Sequence, residues 1–139
     1  YPEKHYEAPN IDIDIENLKH KVDAGADYIV TQMFFDNAKF YTFVEKCRAA
    51  GISVPIIPGL KPISTSTHIE MLPRAFSIDL PQDLMKEVRK CKDNKEIYRV
   101  GIEWCVAQSQ DLLAQGAPAI HYYTMGKADN IREILKRTF

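Results

Sequence analysis

Two rhythms of apolar positions alternate along the chain. In "IDIDIENLKHKVDAG", Ile15, Leu18 and Val22 recur at helical spacing, which predicts a helix from about Asp14 to Ala24. Asp14 suits its N-cap and Gly25 its C-terminal stop. "ADYIVTQMFF" then reads as a strand. "DNAKFYTFVEKCRAAG" repeats the logic: Asp36 caps, Phe40, Phe43, Val44 and Cys47 pack, and Gly51 terminates. "ISVPIIPG" is a second strand, followed by the polar loop "LKPISTSTH". A short helix should end near Pro73. "LPQDLMKEVRKC" opens another with Pro81 in its first turn. Residues 94–115 form a longer helix stopped at Gly116, and Gly101 inside it implies backbone packed on backbone. "PAIHYYTM" is a third strand and "KADNIREILKRTF" a last helix.

Strands therefore alternate with helices, and no strand shows strict polar alternation. Buried parallel strands covered by helices read this way. Open doubly wound sheets and barrels share the pattern. A complete (β/α)8 barrel needs about 250 residues, so 139 residues would be near half of one. No GxGxxG and no GxxxxGK[ST] is present, so neither standard phosphate loop is encoded.

Composition narrows the function. With 45% hydrophobic and 27% charged residues the chain is ordinary globular protein. A net charge of −1 argues against a nucleic-acid or anionic-membrane surface. Its apolar runs are too short to span a bilayer. Cys47, Cys91 and Cys105 are odd in number, far apart and without metal spacing. Buried free thiols in a reducing, cytoplasmic compartment are expected. The opening "YPEKH" has the character of mid-domain sequence, which suggests a piece of a longer protein.

Polar residues fall where such folds bind ligands, beyond the carboxyl ends of the strands. The first strand offers Thr31, Gln32 and Asp36, the second Lys61 and "STSTH", and the third His121, Tyr122, Tyr123 and Thr124. Gln32 is the misfit: a buried amide left unpaired costs roughly 1–3 kcal/mol. It is either a core amide bonded to nearby backbone or a ligand contact. His121 reads first as a core histidine. Asp14, Asn17 and Lys21, spaced i, i+3, i+7, share a helix face. An acid, an amide and a cation in a row suit a nucleotide, and they equally suit a cap with solvated surface.

"YPEKH.EA", "D..NLK.KVDAGAD..VTQMFFD", "IPGLKPIS" and "HYYTMGKA" closely resemble the later half of the methylenetetrahydrofolate reductase family, in order and along essentially the whole chain. The resemblance implies the C-terminal half of a (β/α)8 barrel over residues 1–139, with the N-terminal half absent. It implies FAD at the strand ends, reduced by NADH or NADPH, and conversion of 5,10-methylenetetrahydrofolate to 5-methyltetrahydrofolate in one-carbon metabolism and methionine biosynthesis. It assigns Tyr1, Asp14, Asn17, His20, Lys21 and Val30 to FAD. Gln32 is assigned to the pterin ring, whose donor and acceptor edges an amide can match.

His68, Leu72 and Lys127 fall at further substrate or nicotinamide positions. A bacterial branch has arginine at position 20, glutamine at 68, phenylalanine at 72, asparagine at 126 and arginine at 127. Here those positions are His20, His68, Leu72, Gly126 and Lys127. Lys127 keeps the charge of an arginine without its planar fork. The catalytic glutamate and the flavin N1 aspartate belong to the earlier half, so no catalytic residue and no metal ligand is expected here. A homo-oligomer is expected. A non-catalytic half-barrel that pairs through its open strand edges, and a pterin-binding methyltransferase barrel, are the alternatives.

Overall fold

The computed structural model describes residues 1–139. The elements run α1 (Ile11–Asp23), β1 (Ile29–Met33), α2 (Asn37–Ala49), β2 (Ile56–Leu60), α3 (Ser66–Phe76), α4 (Gln82–Arg89), α5 (Asn94–Ala114), β3 (His121–Tyr122) and α6 (Asp129–Thr138). The three strands form one parallel sheet in the order β1-β2-β3. This is the expected α/β architecture: consecutive strands of a (β/α)8 barrel with helices between them.

Local chemistry explains most boundaries. Asp36 accepts from the Ala38 N–H at 2.9 Å and starts α2. Asp93 caps α5 in the same way through Glu96 at 3.0 Å. Gly51 ends the α2 turn at φ +82, a left-handed value that other residues adopt only with strain.

Several boundaries differ from expectation, β1 and β2 among them, which are shorter at Ile29–Met33 and Ile56–Leu60. α1 begins earlier, because Asn10 caps it by accepting from Ile13 N–H. Asp14 is thereby freed from capping. α3 runs past Pro73 to Phe76 and stops at Ser77, whose φ is +52. Pro81 sits just before α4 rather than within it. β3 shrinks to His121–Tyr122.

Two apolar cores hold the sheet to its helices. The larger joins Ile29 and Ile56 to Ile15 of α1, Phe43 of α2, Leu112 of α5 and Ile134 of α6. Leu18 and Val22 pack against it, as their spacing predicts. Phe34 and Phe40 stack within it at 5.2 Å between ring centroids. The smaller core gathers Met33, Phe35, Ile63, Leu72, Leu84 and Ile97 under α3, α4 and the start of α5. Gly101 separates them. A Cβ there would stand 1.7 Å from the Ile63 carbonyl oxygen, so α5 touches the loop after β2 backbone to backbone.

Candidate functional site

β1 is irregular around Gln32. Val30 pairs with Ile57, but the next pair is Met33 with Gly59, so β1 carries one residue more than β2 between them. The bulge is held by side chains. The Gly59 N–H donates to Thr31 Oγ1 at 3.0 Å, and the Tyr123 hydroxyl donates to the Thr31 carbonyl at 2.9 Å. Gln32 is half-buried beside it, and its Oε1 accepts from the adjacent Met33 N–H at 3.0 Å. The core-amide reading therefore holds for the oxygen. Gln32 Nε2 makes no bond within the chain and is not sealed from solvent.

A cleft of about 320 Å³ opens along the free edge of β1, between that strand and α1. Tyr1, His5, Asp14, Lys21, Val30 and Thr31 contribute to its wall. The helix delivers Asp14 and Lys21 two turns apart, an acceptor near one end and an ammonium near the other. Asp14 is steadied by the His5 N–H at 2.8 Å. Val30, 38% exposed on a strand whose neighbours Ile29 and Thr31 are buried, supplies the apolar patch between them. Asn17 and His20 are exposed and do not line the cleft. Gln32 lies two residues beyond Val30, outside the lining.

A larger cleft of about 570 Å³ sits between α2 and the end of α5, where Pro55, Ile56, Ala117 and Pro118 mark the amino ends of β2 and β3. In parallel α/β folds that end serves stability rather than chemistry. The smaller cleft is therefore the better candidate despite its size.

Beyond β2, Lys61 is buried at 7% exposure with no acidic partner. Burial holds its pKa below the usual lysine value. His68 stands at the start of α3, with its Nδ1 accepting from the Ser64 N–H at 3.2 Å. Burial first, and the Lys61 ammonium second, lower its pKa. Leu72 is fully buried in the smaller core. Lys127 is exposed on the turn before α6. His121 is exposed too, edge-on to Tyr123 at 4.6 Å, so it is no core histidine.

Cys47 and Cys105 are buried free thiols whose pKa values burial pushes up to about 11 and about 12. Cys91 is only half-buried, contrary to expectation. No group of acids, histidines and cysteines is arranged to hold a metal. No helix is long and apolar enough to cross a membrane. Sequence reasoning missed His5 and the special status of Gly59. His5 carried no periodic signal, and Gly59 read simply as the end of a strand.

Fold and cleft together define a segment of a parallel α/β barrel with a mixed acidic, cationic and aromatic cleft beside one strand. Comparison with known proteins makes the class specific. The family model described as methylenetetrahydrofolate reductase matches residues 1–138. A Caenorhabditis elegans protein named probable methylenetetrahydrofolate reductase (NADPH) is 40% identical over 138 residues, covering 98% of this chain and 21% of that protein. The Escherichia coli 5,10-methylenetetrahydrofolate reductase is 34% identical over 130 residues, covering 93% of this chain and 44% of its own. An uncharacterized Clostridium thermocellum protein, described as binding two copies of 5-methyl-5,6,7,8-tetrahydrofolic acid, has a similar fold. Its TM-score is 0.56 at 18% identity, covering 90% of this chain and 46% of that one.

The chain belongs to the methylenetetrahydrofolate reductase family. It spans less than half the length of these relatives.

Proposed function

We propose that this chain is the later part of the catalytic barrel of a flavin-dependent reductase. The whole enzyme converts 5,10-methylenetetrahydrofolate to 5-methyltetrahydrofolate with NADH or NADPH in the cytoplasm. The segment carries part of the FAD and folate sites and is inactive by itself. The observation that carries this reading is the cleft, which gathers four of the six residues assigned to FAD: Tyr1, Asp14, Lys21 and Val30.

The donor set suits the cofactor's polar arm. A carboxylate accepts from hydroxyls, an ammonium meets phosphate, and Tyr1 and Val30 offer apolar contact. When bound, the flavin supplies hydride acceptance and delivery. This chain's residues bind and orient. Gln32 is the folate contact: its oxygen is held by the Met33 N–H, which leaves Nε2 free to donate to an acceptor edge of the pterin. The folate named for the Clostridium thermocellum neighbour is compatible with such a ligand. Buried free thiols accord with the cytoplasm.

The test separates the half-reactions in the full-length enzyme. Gln32→Leu should cut folate turnover by about a hundredfold, since a site built for a polar edge is left unpaired. NAD(P)H oxidation by an artificial acceptor should persist. Equal damage to both half-reactions would refute the pterin role. The open edge of β1, with Tyr28 at 60% exposure beside it, favours one rival, a non-catalytic module that associates through that edge. A full-length protein purified without flavin absorbance would favour that rival.

A further inference from the structure

The bulge in β1 has an unusual support. A parallel ladder would normally give the Gly59 N–H to a backbone carbonyl of β1. Here it goes to the Thr31 hydroxyl, and the Thr31 carbonyl is left to a side chain two strands away. That side chain can reach only because position 59 has none. A Cβ on Gly59 would stand 2.3 Å from the Thr31 oxygen and 2.8 Å from Cε2 of the Tyr123 ring. Tyr123 follows β3, and the Tyr123 N–H is itself bound to the Leu60 carbonyl at 2.9 Å. The ring is thus anchored at its backbone to β2 and at its hydroxyl to β1. Gln32 is the next residue after the carbonyl it holds.

We propose that Tyr123 is a positioning residue for folate: across Gly59 its hydroxyl fixes the Thr31 carbonyl, and so sets the bulge from which Gln32 presents its amide. Bulges beside binding sites commonly re-aim a side chain. Without the hydroxyl, the peptide between Thr31 and Gln32 loses a cross-strand tether at the bulge and gains freedom to rotate. The Gln32 amide then samples orientations that do not match the ligand. Tyr123 acts through Gln32 and need not touch the folate. The inference rests on Gln32 being the folate contact.

The test uses the full-length holoenzyme. Tyr123→Phe keeps the ring over Gly59 and deletes only the hydroxyl. The folate KM should rise about three- to tenfold, the range set by one lost hydrogen bond, while kcat and the NAD(P)H KM hold. Thr31→Val, which removes the other half of the clamp, should raise the folate KM likewise, and Thr31→Ser should restore it. An unchanged folate KM in Tyr123→Phe, alongside a strong Gln32→Leu effect, overturns the clamp and leaves the Gln32 reading standing. A Gln32→Leu variant with both half-reactions equally impaired overturns both. A fall in kcat and in flavin reduction alongside the rise in folate KM marks a merely structural tyrosine and also overturns the proposal.

Discussion

The two apolar cores are built from similar side chains but hold different things. The larger lies between the sheet and α1, α2, α5 and α6, and draws on every strand. The smaller lies under α3 and α4, two helices inserted between β2 and α5, and its strand residues come from the end of β1. One core closes the repeating strand–helix unit. The other roofs the carboxyl side, where Lys61 and His68 lie. Fully burying one Leu, Ile or Phe is worth about 1.5–3 kcal/mol in either place. What differs is how much of the chain each burial ties together.

The largest expected effect comes from the joint between the cores. Gly101→Val puts side-chain atoms where the Ile63 backbone already stands. It should cost about 3 kcal/mol or more and lower the denaturant midpoint of the whole enzyme, because α5 must move off the loop and disturb both cores. A midpoint within error of wild type would show that the joint can yield.

Leu112→Ala and Leu72→Ala come next and set one core against the other. Both residues are fully buried, so each truncation should cost about 2–5 kcal/mol. Leu112→Ala should raise amide exchange throughout the sheet. Leu72→Ala should raise it in α3 and α4 first and leave β1 and β2 protected. Identical exchange patterns would mean the two cores unfold as one.

The smallest effect is a pH dependence in the roof. His68 has its folded-state pKa lowered below 6.5 by burial and by Lys61. The unfolded chain therefore takes up a proton before the folded one. Stability should fall as pH drops through 6.5 toward the folded value and stay level below it. His68→Gln should flatten that slope, and Lys61→Met should narrow its window. Denaturation midpoints between pH 7.5 and about 5 would reveal it, and a slope unchanged in His68→Gln would assign it elsewhere.

Most of the larger core was legible from the chain because periodicity wrote it: Ile15, Leu18 and Val22 on α1, Phe40, Phe43 and Cys47 on α2. Asp36 and Gly51 marked their boundaries by local chemistry. Asn10 was passed over because Asp14 offered an equally good cap four residues later. α3 outran Pro73 because that residue's ring costs one helical bond, which packing of the smaller core offsets.

The cleft was partly legible. The helical spacing that puts Asp14 and Lys21 on one face also brings both to its wall, while Asn17 and His20 turn to solvent. The bulge was not legible. Thr31 and Gln32 are ordinary strand residues until the Gly59 N–H donates to the Thr31 hydroxyl and the Thr31 carbonyl accepts from Tyr123, 92 positions away.

Lys39 of α2 gives the cleft a sensitivity of another kind. Its ammonium meets Glu3 at 3.3 Å and also the carboxylate of Asp79, while the Asp79 N–H donates to Glu3 at 3.2 Å. Glu3 stands between Tyr1 and His5, which wall the cleft. One flank of the pocket is thus moored by a three-member ionic knot to the turn after α3. Added electrolyte weakens such a mooring over a screening length of about 8 Å at physiological strength. The wall that carries Tyr1 and His5 should then slacken with rising salt.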